Sequence, residues 1–150
     1  MDKDDLIRAA LEYAKLFVGR PYVWGGSNAV WGYDCSGFSQ EVLRSVGMDQ
    51  PHDQTAQELY DYFIMNGERN TGGPGAILFF GNGTESIEHV AIQLNDFQMI
   101  EAGGGGPAVT SPEIASTREA AMVRIRPMRV RRDFVDVVMP DYGKALGRIT

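Results

Sequence analysis

The residue pattern changes abruptly at Gly72-Gly73-Pro74-Gly75, and this break limits the possible fold more than any other feature of the chain. Before it, apolar residues recur at helical spacing, whereas after it short β-type runs alternate with turn signals. Glycine and proline together interrupt helix and strand alike, so the two halves form different secondary structure. The sequence therefore predicts an α+β fold, with N-terminal helices packed on a central antiparallel β-sheet.

Three helices are predicted before the break: residues 4 to 17, Cys35 to Gly47, and residues 53 to 65 with Asp53 as N-cap. After it, four runs predict strands: AILFF (76–80), HVAIQL (89–94), QMIEA (98–102) and AMVRIR (121–126). The Asn95–Asp96 turn joins the second and third runs into a hairpin. We expect one domain over residues 1–150, with residues 133–150 an extension that the pattern does not place.

Bulk composition excludes several function classes. The chain has 150 residues, enough to form a core without disulfides, and its single cysteine excludes an internal disulfide or a multi-cysteine zinc site. A net charge of −6 disfavours binding to nucleic acid or to anionic membranes. The acidic N-terminus is not a secretory signal, and no apolar run approaches the ~20 residues that span a bilayer. We expect no metal, no cofactor and no membrane insertion.

Five arginines near the C-terminus oppose the overall charge. Two interpretations stay open: a solvated strand edge, or a site for anionic substrate groups. The residues are Arg124, Arg126, Arg129, Arg131 and Arg132.

Cys35 is either an inert buried residue or a reactive thiol. If it begins the predicted helix, the backbone N–H groups of the first turn and the helix dipole favour its thiolate and lower its pKa. Asp34 can cap this turn, and Ser36 and Gly37 leave the approach to the sulfur open. The same N–H groups could stabilise an oxyanion.

A nucleophilic thiol needs a base, and only His52 and His89 are available. His52 lies in a predicted loop, where a surface or capping role is expected. His89 begins a strand, which holds a side chain more rigidly. In the hairpin register His89 and Glu101 lie on adjacent antiparallel strands, close to opposite one another, so Glu101 is the candidate for the group that orients the imidazole. On spacing alone, a structural histidine and an inert cysteine remain the alternative.

Three segments resemble the NlpC/P60 family of papain-like cysteine peptidases: GRPYVWGG (19–26), YDCSGF (33–38) and HVAI (89–92). The resemblance covers about residues 5 to 126. It implies a papain-like fold in which Cys35 is the nucleophile and His89 the base, while Glu101 takes the third position, where the family commonly has histidine. It also implies that Tyr22 binds substrate or the oxyanion.

The resemblance further implies that Asp34 and Ser36 line the substrate groove; their alternative role is helix capping. Besides Glu101, one more position departs from the family pattern: Ala76 replaces the aspartate of the PG-D segment. Trp31, in the loop before Cys35, either shapes the entrance or packs internally. The expected activity is hydrolysis of peptidoglycan stem peptides, commonly at the bond between D-γ-glutamyl and a diamino acid, through a thioacyl-enzyme.

Two other functions are compatible with the sequence. One is a papain-like amidase or acyltransferase on another substrate, and the other is a non-catalytic wall-binding module of the kind found in a phage tail. The expected place of action is the bacterial cell wall. Since no N-terminal signal is recognised, we expect a virion-associated enzyme, delivery by a phage tail or secretion-system partner, or a leader outside this sequence.

Overall fold

The computed structural model describes residues 1–28, 31–48 and 52–149, so Ala29 and Val30 of the loop before Cys35 lie outside the described residues. The helices are α1 (Lys3–Lys15), α2 (Cys35–Arg44), α3 (Ala56–Phe63), α4 (Pro112–Ser116) and α5 (Tyr142–Ile149). The strands are β1 (Ser27–Asn28), β2 (Gly32–Tyr33), β3 (Gly67–Arg69), β4 (Ile77–Gly81), β5 (Ile87–Gln93), β6 (Gln98–Gly103), β7 (Met122–Pro127) and β8 (Phe134–Pro140). A short 3₁₀ turn spans Met128–Val130. No helix in these ranges is long and apolar enough to cross a membrane.

Six strands form one sheet in the order β3-β8-β4-β5-β6-β7, and every neighbouring pair is antiparallel. Strands β1 and β2 form a separate two-stranded ribbon just before α2. The main core lies between the sheet and the helices, and it includes Phe38 of α2, Leu59 of α3 and Phe79 of β4. The predicted α+β fold, with helices on an antiparallel sheet, is confirmed.

Side-chain caps decide where the first three helices begin. Asp2 caps α1 and Thr55 caps α3, each within a capping box that satisfies two otherwise unpaired backbone N–H groups. Asp34 caps α2, and its Oδ1 accepts a 2.7 Å hydrogen bond from the Gly37 N–H. The prediction of Asp53 as the cap of α3 is wrong, because the helix starts at Ala56 and Thr55 provides the oxygen.

The β5–β6 hairpin closes over the predicted Asn95–Asp96 turn. Asn95 Oδ1 accepts hydrogen bonds from the N–H groups of Phe97 and Gln98, both at 2.9 Å. Next to this turn the strands pair Gln93 with Met99 and Ile92 with Ile100. These are the pairs of the β5–β6 register within the described residues, and α2 packs against both strands.

The C-terminal residues, which the sequence pattern does not place, form one strand of the sheet followed by a helix. Strand β8 lies between β3 and β4, and α5 packs against α1. A buried network ties β8 to the rest of the fold, since Asp136 accepts hydrogen bonds from the Tyr60 hydroxyl at 2.9 Å and from Arg69 Nε at 3.0 Å.

Candidate active site

A cavity of about 800 Å³ lies where the N-terminus of α2 meets β5 and the glycine-rich segment after β6. Asp53, Gln54 and Thr55, ahead of α3, line another side. The cavity brings together five of the six site residues that the sequence singles out, which are Tyr22, Asp34, Cys35, Ser36 and His89. The sixth, Glu101, is fully buried behind His89.

Cys35 is the first residue of α2 and is half-buried. Burial raises the pKa of its thiol to about 12, and the negative charge of Asp34 acts in the same direction. Hydrogen bonds from the backbone of Val90 and Ser36 lower the pKa but do not compensate. The net direction is opposite to that expected from the helix N-terminus, so the thiol keeps its proton until a base removes it.

His89 is held by a hydrogen bond between its Nε2 and Glu101 Oε1, 2.9 Å long. A carboxylate can only accept hydrogen bonds, so Nε2 carries the proton of this contact. In the neutral ring Nδ1 then holds the lone pair, and it is the nitrogen available to Cys35. The Phe80 ring packs beside the imidazole, with 5.7 Å between ring centroids, and limits its rotation.

Glu101 lies among positively charged groups. Its Oε2 accepts a 2.9 Å hydrogen bond from Arg124 Nε, and Arg126 Nε lies 2.9 Å from the same oxygen without the alignment of a hydrogen bond. Burial alone would raise the pKa of the carboxyl. The hydrogen bond from His89, its charge and those of Arg126 and Arg124 outweigh burial and lower the pKa to about 2. The carboxylate is therefore ionised at neutral pH.

The arginine cluster of the sequence divides into two groups. Arg124 and Arg126 pair with Glu101, and Arg131 makes two hydrogen bonds to Asp133 while stacking on Phe80. Arg129 and Arg132 are exposed. The cluster is therefore not simply a solvated strand edge, because three of its five arginines are already paired with carboxylates.

Tyr22 lies in the cavity wall with 6% of its surface exposed. Burial is the main cause that raises the pKa of its hydroxyl to about 12, and the neighbouring ionisable groups of Cys35 and Asp34 act in the same direction, so the group is a hydrogen-bond donor at neutral pH. Asp34 combines its cap with a 3.2 Å hydrogen bond from Ser36 Oγ. Both also line the cavity, so the capping and groove-lining roles coincide.

Sequence reasoning missed the importance of Arg124 and of the four glycines from Gly103, at the end of β6, to Gly106. A Cβ on Gly103 would lie 3.0 Å from Glu101 Oε2 and 3.2 Å from Arg124 Nη2, and one on Gly105 would collide with the Tyr22 ring. At Gly105 the backbone can therefore pass this close to the Tyr22 ring only as glycine, whereas a side chain at Gly103 would have to displace the Glu101 carboxylate and the Arg124 guanidinium slightly. The run of four glycines was the available signal.

Two other residues noted in the sequence lie apart from the catalytic contacts. His52 is exposed, and its Nδ1 lies 3.0 Å from both the Asp53 carbonyl oxygen and Gln54 Nε2. Trp31 is 48% exposed, so it does not pack internally. Among residues 1–28, 31–48 and 52–149, no group of three or more His, Cys, Asp or Glu side chains could hold a metal ion.

Fold and site together are those of a papain-like α+β domain, with a cysteine at a helix N-terminus and a histidine on the adjoining strand. A family model described as NlpC/P60 family matches residues 19–126. The chain belongs to the NlpC/P60 family.

Curated relatives and solved structures agree with this assignment. The chain is 33% identical over 101 residues to a gamma-D-glutamyl-L-lysine dipeptidyl-peptidase of Bacillus cereus, a match that covers 66% of this chain and 28% of the relative. It is 33% identical over 104 residues to the bifunctional muramidase/DL-endopeptidase CwlT of Bacillus subtilis, covering 68% and 31%. The chain thus spans less than a third of the length of these relatives.

The crystal structure of the NlpC/p60 domain of the peptidoglycan hydrolase SagA superposes with a TM-score of 0.65. The match covers 88% of this chain and 97% of that domain, at 24% identity. This likeness shows the shared fold.

Proposed function

We propose that this protein is a cysteine endopeptidase that hydrolyses amide bonds in the stem peptides of bacterial peptidoglycan. The observation that carries the proposal is the 2.9 Å hydrogen bond that orients His89 in the cavity shared with Cys35. Family membership supports the same chemistry, and two relatives are named as a dipeptidyl-peptidase and a DL-endopeptidase.

The proposed reaction begins when Nδ1 of His89 takes the proton of the Cys35 thiol as the sulfur attacks the carbonyl carbon. Because the pKa of the thiol is raised, proton transfer to the imidazole accompanies attack rather than preceding it. Glu101 stabilises the imidazolium that forms. We expect the oxyanion to be stabilised by the Tyr22 hydroxyl, which lies in the cavity wall, and by the backbone N–H groups at the start of α2.

His89 then returns the proton to the leaving amine, and the acyl group remains on sulfur as a thioester. A water molecule, deprotonated by His89, attacks this thioester; the C–S bond breaks, the acid product leaves, and His89 returns the proton to the Cys35 sulfur. The bond proposed for cleavage joins D-γ-glutamate to the diamino acid, in agreement with the names of the two curated relatives. The place of action that follows is the cell wall.

Digestion of purified peptidoglycan, followed by mass spectrometry of the released peptides, tests this proposal. We expect products that end in γ-glutamate, together with fragments carrying a new amine on the diamino acid. Cys35→Ala should release none of them, whereas Cys35→Ser keeps the shape of the site and should retain only traces of activity. Equal product release by wild type and Cys35→Ala would contradict the proposal. Cleavage at a different amide bond would leave the proposed cysteine peptidase in place but would show that the proposed bond is wrong.

A further inference from the structure

The Glu101 carboxylate behind His89 is fully enclosed, and it has more positively charged neighbours than a single hydrogen bond to the imidazole would need. Glu101 has no solvent exposure, and both its oxygens are engaged. Oε1 contacts His89, while Oε2 contacts Arg124 and lies 2.9 Å from Arg126 Nε. An isolated carboxylate in this position would lose its hydration without compensation, so the two guanidinium groups stabilise its ionised form.

Arg124 is itself fixed at two points. Its Nε donates to Glu101 Oε2 at 2.9 Å, and its Nη1 donates to the Ala120 carbonyl oxygen at 3.1 Å. Arg124 is also the direct cross-strand partner of Glu101 in the β6–β7 register. A guanidinium held in this way fixes the rotation of the carboxylate, because moving Oε2 would break a charge-assisted hydrogen bond.

We propose that Arg124 is a positioning residue for the catalytic base: it holds Oε2 of Glu101, so that Oε1 stays on Nε2 of His89 and Nδ1 remains available to Cys35. Arg126 supplies a second positive charge to the same carboxylate. The inference rests on the proposed function and explains how a buried glutamate can stay ionised behind the imidazole. A carboxylate brings a charge into a buried position, and the arginines offset it.

The electrostatic consequence has a defined sign. Removing a positive charge makes every deprotonation in the coupled site less favourable, so the pH profile moves to higher pH. Removing the negative charge of Glu101 moves it to lower pH. The charged or titratable groups near His89 include Glu101 of β6, Arg124 and Arg126 of β7, Cys35 of α2, and the Arg131–Asp133 pair before β8.

A double-mutant cycle tests the role of Arg124, using Arg124→Gln, Glu101→Gln and the combined variant. Two quantities are measured against pH: kcat/KM on a defined stem peptide, and the rate of Cys35 alkylation by iodoacetamide, which needs no substrate. Arg124→Gln should lower kcat/KM roughly 10- to 100-fold, the size of one charge-assisted hydrogen bond, and shift the alkylation profile up by about one pH unit. In the Glu101→Gln background it should cause no further loss.

Two comparisons separate positioning from a structural role. Arg124→Lys keeps the charge without the fixed fork, so its pH profile should stay near that of wild type while kcat/KM falls. Arg148→Gln, an exposed arginine on α5, is the matched control and should behave as wild type. Equal losses from Arg124→Gln with and without Glu101, or an unmoved alkylation profile, would overturn the inference. If wild type cleaves no stem peptide, the proposed function fails, and alkylation still decides the role of Arg124.

Discussion

Acidification should remove a defined part of the protein's stability through Glu101. The hydrogen bond and charge of His89, with the two arginines, outweigh burial and lower the pKa of this carboxyl from 4.5 to about 2. Since one pKa unit corresponds to about 1.4 kcal/mol, ionised Glu101 contributes about 3 kcal/mol to the free energy of unfolding near neutral pH.

The pH range of the effect follows from the direction of the pKa change. The folded-state pKa lies below the unfolded-state value, so the contribution is fully present above about pH 5 and is lost as the pH falls toward 2. Two-state linkage places the loss at about 2 kcal/mol by about pH 3, where the unfolded chain is already protonated and the folded protein is not.

Urea unfolding of wild type and Glu101→Gln between about pH 7 and about pH 3 measures this contribution. Glutamine does not titrate, so the stability difference between the two proteins should shrink by about 2 kcal/mol over this range. Acid titration of other carboxyls, such as Asp133 and Asp136, is common to both proteins and cancels. Glu119→Gln, an exposed position, should show no such narrowing. A difference that stays constant with pH would refute the assignment of an ionised, charge-paired Glu101.

Three further substitutions test separate parts of the structure. Gly103→Ala places a methyl group 3.0 Å from Glu101 Oε2, so it should lower kcat and destabilise the fold by about 1–3 kcal/mol. The control Gly147→Ala, with open space around it in α5, should raise the melting temperature. Similar changes of melting temperature and activity in the two variants would contradict this prediction. Asp34→Asn keeps a capping oxygen but removes a charge that raises the pKa of Cys35, so the alkylation profile should move to lower pH; no movement would mean that Asp34 carries no charge there. Tyr60→Phe removes a buried 2.9 Å hydrogen bond to Asp136 and should cost about 1–2 kcal/mol in denaturant unfolding with kcat unchanged; a fall in kcat would connect this network to the site.

The predictable parts of the fold are those encoded within short stretches of sequence. Helix α2 begins where expected, because the Asp34 side chain and the Gly37 N–H that it caps are three positions apart. The β5–β6 hairpin follows from the Asn95 turn, and the hairpin brings His89 and Glu101 together. In each case the partners are near neighbours along the chain, so residue type and spacing suffice.

The unpredicted parts depend on contacts between distant segments. Strand β8 pairs with β4 across more than fifty residues, as in the pairing of Val137 with Leu78, and no local pattern specifies that partner. Arg124 reaches Glu101 only because β7 returns beside β6 after α4. For the same reason the sequence left the arginine cluster with two interpretations. The raised pKa of Cys35 also needed the packing around the sulfur, which the helix N-terminus alone does not reveal.

Strand β5 carries the proposed base, and the backbone of the next residue along the strand acts on the nucleophile. Within the described residues β5 and β6 pair at Ile92 with Ile100 and at Gln93 with Met99, and α2 packs against both strands. The backbone of Val90 acts to lower the pKa of the Cys35 thiol, while the preceding residue, His89, supplies the imidazole. Two consecutive residues of one rigid element therefore set the position of the base relative to the sulfur. Since β4 pairs with β5 through these same residues, Phe79 with Val90 and Phe80 with His89, the neighbouring strand helps to hold this geometry in place.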